Sequence, residues 1–171
     1  MIEVVLRAVR VDVGSATPLL LLEEVGGDRV LPIFIGAPEA TAIAYALQHV
    51  ETPRPMSHDL MGHVIAALDA RLFAVEITDL DDNTFFADLR LTRAGHEVTV
   101  SARPSDAVAL ALRVGAPILV ADALMASAGR IMHVEDGLEV IESDENDESE
   151  ADLVAELREF LNTVRPEDFN E

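Results

Sequence analysis

Two acidic residues fall in the first turns of two predicted helices, each shortly after a proline. Glu39 follows Pro38, and Asp106 comes two residues after Pro104. Carboxylates are hard oxygen ligands for Mg²⁺ or Mn²⁺, and a pair of them can also serve as acid and base. An acid in a first turn also complements the helix dipole by about 0.3–1 kcal/mol. On residue types alone, this capping explanation is the stronger of the two.

A second group of polar residues precedes another predicted helix. Arg54 stands between two prolines, and His58 with Asp59 follows it. His58 could act as general base or metal ligand, Asp59 could orient it or bind the metal itself, and Arg54 could clamp a phosphate. The alternative is a capping cluster with an exposed arginine, in which Ser57 caps a helix of about residues 59–68.

Arg103 directly precedes Pro104, which disfavours helical backbone at Arg103 and holds it extended at the start of the same helix as Asp106. A phosphate ligand for its guanidinium is the functional explanation, and pairing with a carboxylate is the structural one. The sequence contains no phosphate-cradling glycine loop, nucleophile elbow or His-Glu-x-x-His motif. Whatever chemistry these residues perform therefore has no common signature.

Composition limits the classes of protein that fit. The 171 residues contain no cysteine, which excludes disulfide scaffolds, thiolate metal sites and cysteine nucleophiles. All 12 basic residues are arginines, and the net charge is −20. Such an acidic chain repels nucleic acid, so a nucleic-acid role needs a local arginine cluster or a bridging metal. No apolar run could span a bilayer, and no basic segment with an apolar region begins the chain, so a cytoplasmic protein is expected.

The elements that must position these residues follow from the pattern of apolar residues, glycines and prolines. Strands are predicted over residues 2–13, 18–25 and 29–35, then over 72–78, 84–92 and 97–102, and finally over 117–121 and 131–141. Helices are predicted from Pro38 to before Thr52, over about 59–68, from Pro104 to Gly115, and over 122–127. The second helix carries an apolar stripe made by Leu60, Met61, Val64, Ile65 and Leu68.

This order predicts an α+β fold, with an antiparallel or mixed sheet, or a partly closed barrel, against packed helices. The alignment of Glu39-Ala40 with Asp106-Ala107 further predicts an internally duplicated strand-helix-strand unit. Residues 1–141 form the main domain in this interpretation. Residues 142–150 are an acidic linker, and residues 151–171 hold an amphipathic helix and a tail. That last helix could dock a protein partner or pack back on its own domain.

Several of these blocks, taken in order, resemble the bifunctional nuclease domain family over roughly residues 1–140. The blocks are Leu31 to Gly36, Glu39-Ala40, Pro53-Arg54-Pro55, His58-Asp59-Leu60, Thr84 to Ala87 and Arg103 to Ala107. The resemblance implies an α+β fold, oligomeric proteins, with a dimer favoured, and nuclease activity on DNA and RNA. It identifies these residues as part of the family's motifs, but it supplies no agreed catalytic mechanism for them.

Two hypotheses of different classes remain. In the first, the protein is a metal-dependent phosphodiesterase: Glu39, Asp59 and Asp106 hold Mg²⁺ or Mn²⁺, His58 activates water, and the phosphate-binding residues are Arg54 and Arg103. In the second, it is a non-catalytic regulatory or protein-binding homo-oligomer, and the polar residues only fix the helix starts. A small-molecule or nucleotide-binding protein is a third possibility, without a motif to support it.

Overall fold

The computed structural model describes residues 1–12, 15–135 and 138–141, with side chains up to Ile131. Residues 1–132 form one compact unit and residues 133–171 a second. The predicted acidic linker at 142–150 and the predicted helix at 151–171 lie outside the described residues. No helix in the described part of the chain is long and apolar enough to cross a membrane.

Strands and helices alternate irregularly along the chain, as the sequence predicts for an α+β protein. The strands are β1 (Ile2–Val11), β2 (Pro18–Glu24), β3 (Arg29–Phe34), β4 (Ala70–Asp81), β5 (Thr84–Arg93), β6 (His96–Ala102), β7 (Ile118–Val120), β8 (Arg130–Glu135) and β9 (Leu138–Ile141). The helices are α1 (Ala37–Leu47), α2 (Ser57–Ala67), α3 (Pro104–Val114) and α4 (Asp122–Ala128).

Within residues 1–132 the strands form one open, mixed sheet in the order β6-β5-β4-β7-β1-β2-β3-β8. Its pairs are antiparallel except for β4 and β7, which run parallel. The parallel pair arises because α3 carries the chain from β6 at the edge back to β7 in the middle. Of the two architectures that the sequence allows, the structure therefore has the mixed sheet and not the partly closed barrel.

The core lies between this sheet and α3, whose residues 107–111 are all buried. Leu20, Leu22, Leu31 and Ile77 from the strands pack there with Leu110. Helices α1 and α2 both pack on α3, and α3 packs on β4 and β5. The starts of α1, α2 and α3 are thereby held around one central helix.

Helix α3 begins and ends where its sequence predicts. Pro104 is its first residue, where the missing N–H costs nothing, and Gly115 ends it with φ 68°, a left-handed conformation that glycine adopts without strain. Helix α2 begins two residues before the predicted Asp59, at Ser57, so Met56 occupies the cap position in place of Ser57. The reason is local, since the Met56 N–H donates to Asp59 Oδ2 at 2.9 Å.

The predicted apolar stripe of α2 lies mainly on the outside of the described unit. Ile65 packs against the core, whereas Leu60, Met61, Val64 and Leu68 are exposed. Close approach to α3 occurs at Gly62 instead, where a Cβ atom would lie 3.3 Å from Val114 Cγ1. The helix thus rests on a narrow seam and leaves an apolar face open.

Candidate active site

The start of α3 holds a two-pronged ion pair. Arg103 donates from Nε to Asp106 Oδ2 at 2.7 Å and from Nη2 to Asp106 Oδ1 at 3.1 Å. Pro104 fixes the backbone between them, and the carboxylate in the first turn lies near the positive end of the helix dipole. The same three residues form the motif that the sequence singles out.

Glu39, in the first turn of α1, joins the same arginine. Arg103 donates from Nη1 to Glu39 Oε1 at 2.9 Å, so one guanidinium binds two carboxylates from two helices. The Arg103 side chain nevertheless stays 65% exposed. A planar guanidinium can bind a further anion from the solvent side while it keeps its bonds to the two carboxylates.

His58, in the first turn of α2, completes the cluster. Its Nε2 lies 3.1 Å from Asp106 Oδ1, and its side chain is 12% exposed. An ionised carboxylate has no proton to donate, so a hydrogen bond at this contact needs a proton on Nε2, and in that neutral tautomer Nδ1 carries the lone pair. The arrangement is a histidine-aspartate dyad, in which the acid fixes the tautomer and orientation of the imidazole.

The electrostatics keep this cluster charged. Burial acts to raise the pKa of Asp106, but hydrogen bonds from Arg103 and His58 outweigh it, and the pKa lies below its ordinary value. Hydrogen bonds to Asp106 and Glu39 raise the pKa of Arg103 above its already high value. Asp106 is therefore an acceptor at neutral pH and suits the stabilisation of a protonated imidazole.

Asp59 lies next to His58 in the chain but faces a different partner. Arg113, at the end of α3, donates from Nε to Asp59 Oδ1 at 2.5 Å. It also donates to the carbonyl oxygens of Ala109 at 2.9 Å and Ala42 at 3.0 Å. Arg113 thus ties α1, α2 and α3 together, and its side chain is 11% exposed. Sequence reasoning missed Arg113, although a single charge inside the apolar run 107–114 signals a buried partner.

Of the six residues predicted for the site, the structure brings together Glu39, His58, Arg103 and Asp106. Asp59 binds Arg113 instead. The Arg54 side chain is exposed, without a hydrogen bond or ion pair to a described residue, and only its carbonyl oxygen accepts, from Thr52 Oγ1 at 2.7 Å. Among the described residues, no group of three His, Asp or Glu side chains is arranged to hold a metal ion. Each carboxylate of the predicted ligand set binds an arginine here, Glu39 and Asp106 through Arg103 and Asp59 through Arg113.

A cavity of about 380 Å³ opens beside the cluster, and Glu39 and Arg103 form part of its wall. That volume lies within the range of roughly 300–1,000 Å³ usual for small-ligand sites. The exposed guanidinium therefore faces a space large enough for a substrate group. The cation of the cluster can therefore bind an anion in this space, whereas His58 and Asp106 are not part of its wall.

Comparison with known proteins identifies the family of the chain. Residues 20–133 match the model of the bifunctional nuclease domain. An uncharacterised protein of Mycobacterium tuberculosis is 47% identical over 167 residues, covering 98% of this chain and 97% of the relative. The bifunctional nuclease of Oryza minuta is 24% identical over 88% of this chain and 43% of its own length. Bifunctional nuclease 1 of Arabidopsis thaliana is 28% identical over 73% of this chain and 37% of its own length. The chain belongs to the bifunctional nuclease domain family.

Proposed function

We propose that this protein is a nuclease that hydrolyses phosphodiester bonds of DNA and RNA at the cluster formed by Glu39, His58, Arg103 and Asp106. The observation that carries the proposal is the exposed Arg103 guanidinium, which is held by two carboxylates next to a histidine-aspartate dyad. Membership of the family and the names of the plant relatives support the same reaction class.

Each residue has a defined role in this mechanism. Arg103 binds the non-bridging oxygens of the phosphate and stabilises the charge that develops on them. His58 takes a proton through Nδ1 from the water that attacks phosphorus, and the departing sugar oxygen, on the opposite side of the phosphorus, takes a proton from solvent as its P–O bond breaks. Asp106 stabilises the protonated imidazole. Glu39 holds Arg103 in place, and exposed Arg54 is the second phosphate-binding residue.

Dependence on Mg²⁺ or Mn²⁺ is a separate part of the proposal. Glu39 and Asp106 could hold a divalent ion in place of the Arg103 guanidinium, because both carboxylates now bind that one cation. A bound ion would supply charge neutralisation between this acidic protein and its acidic substrate. Cleavage assays with Mg²⁺, with Mn²⁺ and with EDTA test this dependence, and equal rates in all three would contradict it.

The internal duplication belongs to the same proposal. Helices α1 and α3 each have 11 residues, a proline in the first two positions and one acid in the first turn. Each helix contributes that acid to Arg103. Two related strand-helix-strand units would in this way supply the two carboxylates of one site.

The decisive experiment compares two histidines of α2. Both H58A and D106N should lower cleavage of labelled single-stranded DNA, duplex DNA and RNA by at least about a hundredfold, the usual contribution of an acid-base residue. H63A is the matched control, because His63 lies exposed on the same helix and forms no ion pair with a described residue. Circular dichroism checks the fold of each variant. Undiminished cleavage by well-folded H58A would refute the mechanism.

A second candidate function is a homo-oligomeric regulatory module, and the exposed apolar face of α2 favours it. Leu60, Val64 and Leu68 lie there at helical spacing, each about half exposed. A second copy of the chain would be expected to cover this face. Light scattering should then show a dimer that V64E converts to a monomer. A protein that is inactive on every nucleic acid but dimeric would favour this candidate over the nuclease.

A further inference from the structure

We propose that the cavity beside Arg103 is a subsite for one unpaired nucleobase, which stacks on Phe34. The inference rests on the proposed nuclease function and names its substrate class as nucleic acid with an unpaired base next to the bound phosphate. Phe34 is the last residue of β3, and its side chain is among those that line the cavity.

The position of Phe34 is unusual for so large an apolar side chain. It is 60% exposed, whereas Ile33 and Ile35, its neighbours in the chain, are buried. An exposed ring loses the hydrophobic stabilisation that burial would provide, so burial against a ligand is favourable. An aromatic ring presents a flat surface to any base, and such stacking is sequence-tolerant.

The rest of the cavity suits a base attached to a phosphate. Arg103 and Glu39 form one side of its wall, and Phe85 from β5, partly buried against the core, belongs to another. Asn83, in the turn between β4 and β5, and Thr84, the first residue of β5, add polar groups at which base edges could find hydrogen bonds. A phosphate on Arg103 would thus have its neighbouring base within reach of an apolar and aromatic surface.

The net charge of the protein gives stacking a particular importance. With a charge of −20, the chain repels nucleic acid at long range, and one guanidinium offsets little of that field. Stacking adds affinity that does not depend on charge. A base inside a duplex is unavailable for it unless it is unpaired and unstacked at a cost of a few kcal/mol. Single-stranded segments should therefore bind in preference to duplex.

Tryptophan fluorescence can test the stacking directly, because the chain has no tryptophan. F34W places a single indole in the cavity. F86W is the matched control, since Phe86 is also exposed but is not part of the cavity wall, and it faces the opposite side of β5 from Phe85. Both are made with H58A, so that the oligonucleotide stays intact. The probes are a thymidine hexanucleotide, the same backbone without bases, and a blunt duplex.

The hexanucleotide should quench the fluorescence of F34W, while the abasic backbone and the duplex leave it nearly unchanged and F86W does not respond. In anisotropy measurements F34A should weaken hexanucleotide binding by about five- to a hundredfold. Equal quenching of F34W and F86W, or unchanged binding by F34A, would overturn the subsite. These outcomes leave the nuclease proposal intact, because cleavage by the wild-type protein is measured separately. Quenching of F34W by the base, in a protein that cleaves nothing, would instead refute the nuclease and leave the subsite standing.

Discussion

Helix α3 carries an arginine at each end, and both arginines bind a carboxylate from another helix. Arg103, at the start, binds Glu39 and Asp106 and is 65% exposed. Arg113, at the end, binds Asp59 and two carbonyl oxygens and is 11% exposed. Both arginines line a cavity, of about 380 Å³ at Arg103 and about 390 Å³ at Arg113, but only the Arg103 side chain is largely exposed.

Residue type does not distinguish the two arginines, but their burial does, and we expect different roles for them. Every polar contact of Arg113 is made within the three helices, so its removal affects how they pack. Arg103 makes its contacts from an exposed position beside a cavity and next to His58. Exposed ion pairs contribute little to stability, typically about 0–1 kcal/mol, so the three contacts of Arg103 are poorly explained by stability alone.

The first prediction tests the functional end. R103M should lower cleavage by about 10²–10³-fold, the effect of removing one group that stabilises developing charge. Its unfolding free energy should change by no more than about 1 kcal/mol, because the pair is exposed. R71M is the matched control, since Arg71 is also exposed and makes no ion pair with a described residue. Both values come from initial cleavage rates and urea unfolding.

R103K sharpens the same test. A lysine keeps the charge but cannot bind two carboxylates and a phosphate in one plane. If R103K cleaves faster than R103M, part of the loss in R103M is due to charge. If the two rates are equal, the loss is due to the geometry of the guanidinium. A cleavage rate in R103M equal to that of R71M would show that the start of α3 is a structural feature like its end.

The second prediction concerns the buried end and a smaller effect. R113M should lower the unfolding free energy by about 2–3 kcal/mol. This is less than the roughly 3–5 kcal/mol of a fully buried pair, because Asp59 is partly exposed. Cleavage per folded molecule should remain close to wild type. Urea unfolding of R113M, D59N and the double variant gives the coupling energy of the pair. Additive effects would contradict a direct interaction.

The start of α3 was predictable from the sequence, whereas Arg113 at its end was missed, and His58 with Asp59 shows where prediction stopped. Adjacent residues on a helix point about 100° apart, so one can face the start of α3 while the other faces its end. The motif places both side chains in one loop-to-helix segment and predicts a shared site. Which of them faces Asp106 depends on how α2 is rotated against α3, and only packing decides that.

The fold itself followed from local signals. Prolines and glycines predicted the bounds of α3, because Pro104 and Gly115 act on their own backbone. The apolar stripe predicted α2 but not which side of it would face the core. The close contact at Gly62 decided that, and a glycine has no side chain for a hydropathy pattern to detect. The cavity at Phe34 was likewise hidden, since it forms between segments distant in sequence.

The smallest predicted effect is a pH dependence that differs between the two ends. A hydrogen bond from the Met56 N–H, with the Arg113 pair, holds the pKa of Asp59 below its ordinary value, and the pKa of Asp106 is also lowered. A carboxyl whose pKa is lower in the folded state stabilises the fold above the unfolded pKa, about 3.9 for aspartate. That stabilisation is lost as the pH falls from about 4 through the folded pKa.

D59N and D106N should therefore each flatten the fall in unfolding free energy below about pH 4, measured by urea unfolding at pH 3 to 6. Added salt distinguishes the two ends, because mobile ions screen exposed charges more than buried ones. At high salt the effect of D106N on the unfolding free energy should shrink, since Arg103 is open to solvent. The effect of D59N should persist. The same salt dependence at both ends would mean that Arg103 is as enclosed in solution as Arg113, and the distinction between a functional and a structural arginine would fail with it.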